Sequence, residues 1–118
     1  MPKLKRILKV NSSDINTESF RPMVKIGMMY EKIYMSLGFP IKVKSPESNI
    51  DFYWKAEFHS GETFSIYNWD SDKDLKNIES NLFWCIASNN PHIVKDVLNL
   101  FEGFTVVKIY DNKVCEKE

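Results

Sequence analysis

The sequence predicts an α+β fold, in which a mostly antiparallel sheet of four to five strands carries two main helices packed on one face. The 118 residues suit one domain with one core, and 43% of them are apolar, which is typical of a folded chain. The predicted elements follow the order strand, helix, two or three strands, strand, helix, strand, which a mostly antiparallel sheet explains best. We assign residues 1–110 to a single domain and residues 111–118 to a flexible C-terminal tail.

The N-terminal third predicts an edge strand followed by a long helix. Residues 3–10 alternate loosely between basic and aliphatic side chains, which favours a short strand with one solvent-exposed face. A helix is expected from Ser19 to about Leu37, because apolar residues recur there at three-or-four spacing and Ser19 can cap the first turn. Gly38 ends this helix, and Pro40 prevents its resumption.

Four of the five methionines fall on this predicted helix. They are Met23, Met28, Met29 and Met35. Thioether side chains fill irregular gaps in cores, and they also form adaptable binding surfaces. Core filling is the expected use for most of them, and the remaining apolar surface makes Met28 and Met29 candidate protein-binding residues.

Residues 51–69 predict a β-hairpin. A two-residue loop at Ser60 and Gly61 would place the apolar residues of the two arms on opposite faces. A three-residue loop, residues 60–62, pairs Phe58 with Phe64 and gathers the apolar residues on one face. We therefore expect the three-residue loop.

The other face of the predicted hairpin carries three aromatic residues, Tyr53, Tyr67 and Trp69. Three rings are too many for a face exposed to water. Either another part of the fold covers them, or they form a recognition surface, since Tyr and Trp are enriched at protein interfaces. The second alternative makes Tyr53, Tyr67 and Trp69 candidate protein-binding residues.

The C-terminal third predicts a strand, a helix and a last strand. Residues 82–87 are apolar on both faces, as in an interior strand. Asn90 and Pro91 predict a helix start, with Asn90 as the N-cap, and Gly103 predicts its end. Residues 104–110 are rich in β-branched and aromatic side chains, which favours a final strand.

Charge is unevenly distributed along a chain whose formal net charge is zero. Residues 1–44 hold nine Lys and Arg against three Asp and Glu, which gives +6, and residues 45–118 hold seven against thirteen, which gives −6. The two parts can attract each other within the fold, or the basic part can meet an anionic partner. The candidate anion-binding residues are Lys3, Lys5, Arg6 and Lys9, together with Asn89 and Asn90 at the start of the second helix. Nucleic acid is disfavoured, because so few basic residues do not make a strongly basic surface.

The sequence offers no complete catalytic or metal-binding motif. Residues 70–74 resemble the start of a calcium loop, but Leu75 stands where the loop needs Gly. Cys85 and His92 could formally form a nucleophilic pair, but Cys85 lies in an apolar segment and is expected to be a buried, reduced thiol. Cys115 is expected in the tail. We therefore expect no cofactor, no metal and no enzymatic activity.

The location of the protein is predicted from its hydrophobic segments. No stretch approaches the roughly 20 apolar residues that span a bilayer, and the N-terminus lacks the apolar run of a signal peptide. We expect a cytoplasmic protein without a membrane partner.

A series of short motifs carries a resemblance to known proteins. The motifs are Trp54, Phe58, Gly61, Ile-Tyr-Asn-Trp at residues 66–69 and Trp-Cys-Ile-Ala at residues 84–87. Over about residues 37–101 the chain resembles small, uncharacterised proteins of bacteriophages and other large DNA viruses. It departs from their pattern at Ser60, where they have an acidic residue, and at Ala87 and Ser88, where they have paired glycines. The resemblance implies a viral accessory protein in the host cytoplasm and supplies no catalytic residue.

Two hypotheses of different classes follow. The first is a non-enzymatic binding protein that docks on a host or viral protein through the aromatic hairpin surface, or forms a homodimer through that surface. The alternative is a protein that binds a small anionic ligand or nucleic acid through its basic N-terminal region.

Overall fold

A computed structural model describes residues 4–7, 22–42, 50–69, 83–88 and 90–110. These residues form β1 (Leu4–Ile7), β2 (Val24–Gly27), α1 (Tyr30–Leu37), β3 (Ile41–Lys42), β4 (Ile50–Phe58), β5 (Thr63–Trp69), β6 (Phe83–Ser88), a 3₁₀ turn (Pro91–Ile93), α2 (Val94–Leu98) and β7 (Thr105–Ile109). Several predictions concern positions outside the described residues: Lys3, Lys9, Ser19, the 70–74 segment, Asn89, Cys115 and the 111–118 tail.

The described strands form one antiparallel sheet in the order β1-β4-β5-β6-β2-β7, and the short β3 also pairs with β4. The α+β class and the antiparallel sheet are confirmed, but the described residues contain seven strands rather than four to five. The two additional strands are β2 and β3. The first strand lies at an edge and β6 lies in the interior, as predicted.

The core lies between one face of the sheet and the two helices. Both helices contribute to the same buried cluster, α1 through Ile33 and Leu37 and α2 through Val94 and Val97. The sheet contributes Val24, Ile26, Trp54, Ala56, Phe58, Phe64, Ile66, Trp84 and Ile86. The packing of both helices on one face is therefore confirmed. Burying apolar side chains stabilises the fold by roughly 25 cal/mol per Å² removed from water.

The predicted helix from Ser19 to Leu37 is wrong in its middle part, where the chain forms β2. Val24 and Ile26 are buried and alternate with the half-buried Lys25 and Gly27, which is the two-residue period of a strand. β2 pairs with β6 on one side and β7 on the other, so both of its edges find hydrogen-bond partners. Tertiary pairing thus overrides the helical spacing in the sequence.

The hairpin is confirmed, but its predicted register is displaced by two residues. Phe64 lies opposite Ala56 rather than Phe58, and the backbone N–H of Phe58 donates to Glu62 O at 2.9 Å. The three-residue loop therefore comprises residues 59–61. Gly61 has φ +92°, and hairpin loops of this length place a left-handed residue last. The shift is even, so the apolar residues still share one face.

The end of the hairpin contains a β-bulge. Residues 51 and 52 of β4 lie opposite the single residue Asn68 of β5. The buried Asn68 compensates for the disrupted ladder, because its Oδ1 accepts a hydrogen bond from the backbone N–H of Phe52 at 2.6 Å. Phe52, in this bulge, is half-buried and lies near Tyr30 and Tyr34 of α1.

The second helix begins as the sequence predicts and ends earlier. Asn90 is the N-cap, and its Oδ1 accepts from the backbone N–H of His92 at 3.0 Å, while Pro91 occupies the first position. The chain makes a 3₁₀ turn before α2, and α2 ends at Leu98 rather than near Gly103.

Candidate functional site

Two buried tryptophans fix the position of α1 on the sheet. The indole N–H of Trp84 donates to Met28 O, just before the helix, and that of Trp54 donates to Gly38 O, just after it, both at 2.9 Å. The two indoles meet edge to face with their centroids 5.2 Å apart. Because each end of α1 is bonded to a side chain of the sheet, the helix cannot shift without breaking a hydrogen bond.

A series of rings leads from this pair to the surface. The ring of Tyr30 lies 6.0 Å from Trp54, and the ring of Tyr34 lies 6.0 Å from Tyr30. Phe39 follows at 4.8 Å from Tyr34 and is 78% exposed. Gly38, at φ +77°, turns the chain sharply, and its backbone conformation is one that L side chains rarely adopt. This turn holds Phe39 outside both the helix and the sheet.

These rings line a groove of about 570 Å³ between α1 and the start of the β3–β4 ladder. We call it the aromatic groove, and it is lined by Tyr30, Glu31, Tyr34, Phe39, Pro40, Lys42 and Phe52. Its size is that of a site for a drug-sized ligand or a few side chains of a peptide. Glu31 and Lys42 are exposed and supply one charge of each sign to its lining.

A smaller cavity of about 230 Å³ lies on the other side of Phe39. β1 ends opposite Ala56 and β3 begins opposite Tyr53, so the two strands leave a gap along β4 at residues 54–55. The cavity lies at this gap and is lined by Ile7, Leu37, Phe39, Ile41, Tyr53, Trp54 and Lys55. Phe39 thus separates two apolar depressions and contributes to both.

The predicted aromatic surface of the hairpin is not exposed. Tyr53 is 5% and Tyr67 is 0% exposed, so the prediction that these two rings form a recognition surface is wrong, and the first alternative, cover by the fold, applies to them. Trp69 lies at the end of β5, and its side chain is outside the described part of the structure. Met28 is also buried, because it packs in the main core, whereas Met29 is exposed.

The buried tyrosines belong to a second apolar cluster on the far face of the sheet. Tyr53 lies opposite Tyr67, and Tyr67 lies opposite Cys85 on the next strand. Ile41 and Ala87 pack against these three side chains. The hydroxyl of Tyr53 is satisfied by the Ser65 hydroxyl at 2.9 Å.

Burial sets the protonation of this cluster. Desolvation raises the pKa of the Cys85 thiol to about 11, and the nearby Lys25 ammonium only partly opposes that rise. Burial likewise raises the pKa values of Tyr53 and Tyr67. Cys85 is therefore a buried, free and protonated thiol at neutral pH, as the sequence predicted. A protonated thiol is a poor nucleophile.

The predicted anion site at the start of the second helix is occupied by the protein's own groups. The backbone N–H of Asn90 donates to Ser88 Oγ at 3.1 Å, and the Asn90 side-chain amide donates to the carboxylate of Glu62. A carboxylate at this place would repel an anionic ligand, so the assignment of Asn90 is wrong. Lys5 and Arg6 lie in β1, and their side chains are outside the described part of the structure.

The residues of the aromatic groove were not among the predicted site residues. The three-or-four spacing of residues 19–37 places Tyr30 and Tyr34 in the apolar stripe of the predicted long helix, where rings are expected to be core. Phe39 carried a usable signal, because an aromatic residue between Gly38 and Pro40 can belong to neither a helix nor a regular strand.

Two further findings limit what the described residues can do. Among them, no group of three or more His, Cys, Asp and Glu side chains lies close enough together to hold a metal ion. No helix within the same ranges is long and apolar enough to cross a membrane.

No protein-family model, curated protein or solved structure matches this chain.

Proposed function

We propose that this is a non-enzymatic binding protein that docks on a partner protein through the aromatic groove. The resemblance noted in the sequence suggests a viral accessory protein in the host cytoplasm, with a host or viral protein as its partner. The observation that carries the proposal is Phe39, a large ring that is 78% exposed beside an aromatic depression. Aromatic anchors next to apolar pockets are typical hot spots of protein interfaces.

The groove favours a particular kind of partner segment. Its lining includes the rings of Tyr30, Tyr34 and Phe52, which suit an inserted aromatic or long aliphatic side chain. Glu31 and Lys42 offer one charge of each sign. A segment with an apolar anchor flanked by a basic and an acidic residue therefore complements the groove in both shape and charge.

The groove is also rigid, which lowers the entropy cost of binding. Both ends of α1 are held by indole hydrogen bonds, so the helical wall with Tyr34 keeps its position when the groove is empty. A preformed wall supports selective docking better than a mobile one.

A displayed library of random peptides tests this function. Peptides selected on the parent protein should be enriched in a large apolar residue between opposite charges. Their affinity should fall at least about 10-fold for Phe39→Ala, because truncating a hot-spot ring removes about 2 kcal/mol or more. Met35→Ala is the matched control, since Met35 lies on the same helix, is 80% exposed and is not part of the groove lining.

The outcomes are distinct. Equal loss of affinity for the Phe39 and Met35 variants would point to another surface. Selected peptides that bind both variants as well as the parent would contradict docking in the groove. Unfolding curves of both variants ensure that a lost affinity does not reflect a lost fold.

A further inference from the structure

The far face of the sheet, opposite the helices, places two lysines directly beside each other. Lys25 of β2 pairs with Lys108 of β7 on one side and with Cys85 of β6 on the other. Residues directly opposite on antiparallel strands have Cβ atoms about 5 Å apart, and like charges in that position are destabilising. The pair is therefore a local excess of positive charge that the fold tolerates.

Each lysine lies against an exposed aromatic ring. The Lys25 Nζ atom is 5.2 Å from the centroid of Phe83, and the Lys108 Nζ atom is 4.8 Å from that of Tyr110. Phe83 is 50% and Tyr110 is 43% exposed. Such cation–π contacts hold each ammonium over a ring and away from the other ammonium.

The two rings lie at opposite ends of the lysine pair. Phe83 is level with Gly27, and the backbone N–H of Tyr110 donates to Met23 O. Gly27 lies four residue steps after Met23, which is roughly 13 Å along the strand direction. The face therefore presents, in order, a ring, two ammonium groups and a second ring.

The three described strands nearest the lysine pair carry no acidic residue. The sequences of β2, β6 and β7 contain neither Asp nor Glu. Glu57 of β4 is on the same face but is separated from β2 by β5 and β6. Within these three strands, the charged side chains that the structure describes are therefore those of Lys25 and Lys108.

We infer that this face binds a nucleotide, free or within a single-stranded nucleic acid, with Lys25 and Lys108 on phosphate and Phe83 or Tyr110 stacked on a base. Single-stranded sites combine cationic groups with exposed rings in this way. A bound phosphate would reduce the repulsion between the two lysine ammonium groups. A base would stack on the face of the ring that an ammonium group covers in the free protein. The small number of basic residues in the sequence disfavours nucleic acid as a ligand. The inference rests instead on two lysines that each lie beside an exposed aromatic ring.

This site is independent of the aromatic groove. β7 is separated from β4, which borders the groove, by β2, β6 and β5, or about 19 Å at the usual strand spacing. Failure of either proposal leaves the other standing.

NMR titration at low salt with thymidine monophosphate and with a short oligothymidylate tests the inference. We expect shifts at Lys25, Phe83, Lys108 and Tyr110 with both probes. For the oligonucleotide, the logarithm of the affinity should fall with the logarithm of the salt concentration with a slope of about −1.4, since each phosphate contact on a single strand contributes about −0.7. Lys25→Gln or Lys108→Gln should halve that slope, and Tyr110→Ala should weaken binding at least about 5-fold.

Matched controls separate this site from general charge attraction. Lys32→Gln removes an exposed lysine of α1 and should leave affinity and slope unchanged. Lys108→Arg keeps the charge and should retain binding. A short oligoglutamate has anionic charge without bases and should bind more weakly than the oligonucleotide.

Three results would overturn the inference. The first is an absence of shifts at the four named residues. The second is equal binding of inorganic phosphate and thymidine monophosphate, which would exclude stacking. The third is oligoglutamate binding as strong as that of the oligonucleotide. A gain in affinity from mononucleotide to oligonucleotide would identify single-stranded nucleic acid as the ligand, and no gain would identify the free nucleotide.

Discussion

Single buried side chains of the sheet determine where α1 packs. Trp54 and Trp84 show this, because each combines a buried ring with one N–H group that must find an acceptor. Both donors reach carbonyl groups at the ends of α1, so the same residues fill the core and orient the helix. Their burial follows from the sequence pattern. The partner of Trp54 is Gly38, the predicted helix end, whereas the partner of Trp84 is Met28, which the pattern places inside the predicted helix.

Cys85 makes the stability of the protein depend on pH in the alkaline range. Its thiol has an ordinary pKa of 9.0, and burial raises the pKa to about 11 in the folded protein. Between these values the folded state holds the proton more tightly than the unfolded state, so the free energy of unfolding must fall as pH rises. The total loss is on the order of 3 kcal/mol once the pH has risen past 11.

Urea unfolding at a series of pH values checks this prediction in a Cys115→Ser background. Cys85→Ala should delay the alkaline decline by about one pH unit, to the ordinary tyrosine pKa, where the unfolded state begins to lose phenol protons that the buried Tyr53 and Tyr67 retain. The slope is the relevant readout, because the substitution also lowers stability at all pH values by leaving a small cavity. Identical slopes for the parent and the Cys85 variant would contradict the assignment.

At the scale of elements, α1 lacks a feature that most helices have. Its N-cap is Met29, which has an extended backbone but no side chain that can accept a hydrogen bond from the first turn. Met29 is 55% exposed, so a substitution there does not disturb the core. The helix is stabilised by Trp84 and Trp54 at its ends instead of by a capping residue.

Met29→Asp should therefore stabilise the protein. The carboxylate can accept from a first-turn N–H and interacts favourably with the positive end of the helix dipole, which together predict a gain of about 0.5–1 kcal/mol. Thermal or urea unfolding measures the gain, and Met29→Ala serves as the control that removes the thioether without adding an acceptor. A destabilised Asp variant would mean that the Met29 side chain makes a contact that stabilises the fold.

Elements with local signals could be predicted from the sequence, and those that depend on distant partners could not. Asn90 and Pro91 define a helix start by their own chemistry, and Gly38 defines a helix end. β2 has no such local signal, since its four residues become a strand only through pairing with β6 and β7, which lie about 60 and 80 residues later in the chain. The aromatic groove likewise joins α1 to residues of β3 and β4, so its lining could not be read from the local sequence alone.

At the scale of the whole molecule, the order of strands implies a gradient of stability. β5 and β6 lie inside the sheet, and both contribute to the core beneath the helices. β7 lies at an edge, and each of its five residues is exposed. Local opening of β7 exposes little buried surface and should cost little free energy. Opening of β5 or β6 should cost most of the free energy of global unfolding.

Hydrogen exchange should reveal this gradient. We expect the amides of β5 and β6 to exchange slowest and those of β7 fastest, and Ile86→Val to accelerate exchange in β5 and β6 because it removes a buried methylene group worth about 1 kcal/mol. Val107→Ala, at an exposed position of β7, should leave the exchange of β5 and β6 unchanged. Protection of β7 equal to that of β6 would contradict an open edge. If such protection disappeared on dilution, a second copy paired along β7 would be its source, because an exposed apolar edge strand is a template for pairing with another chain.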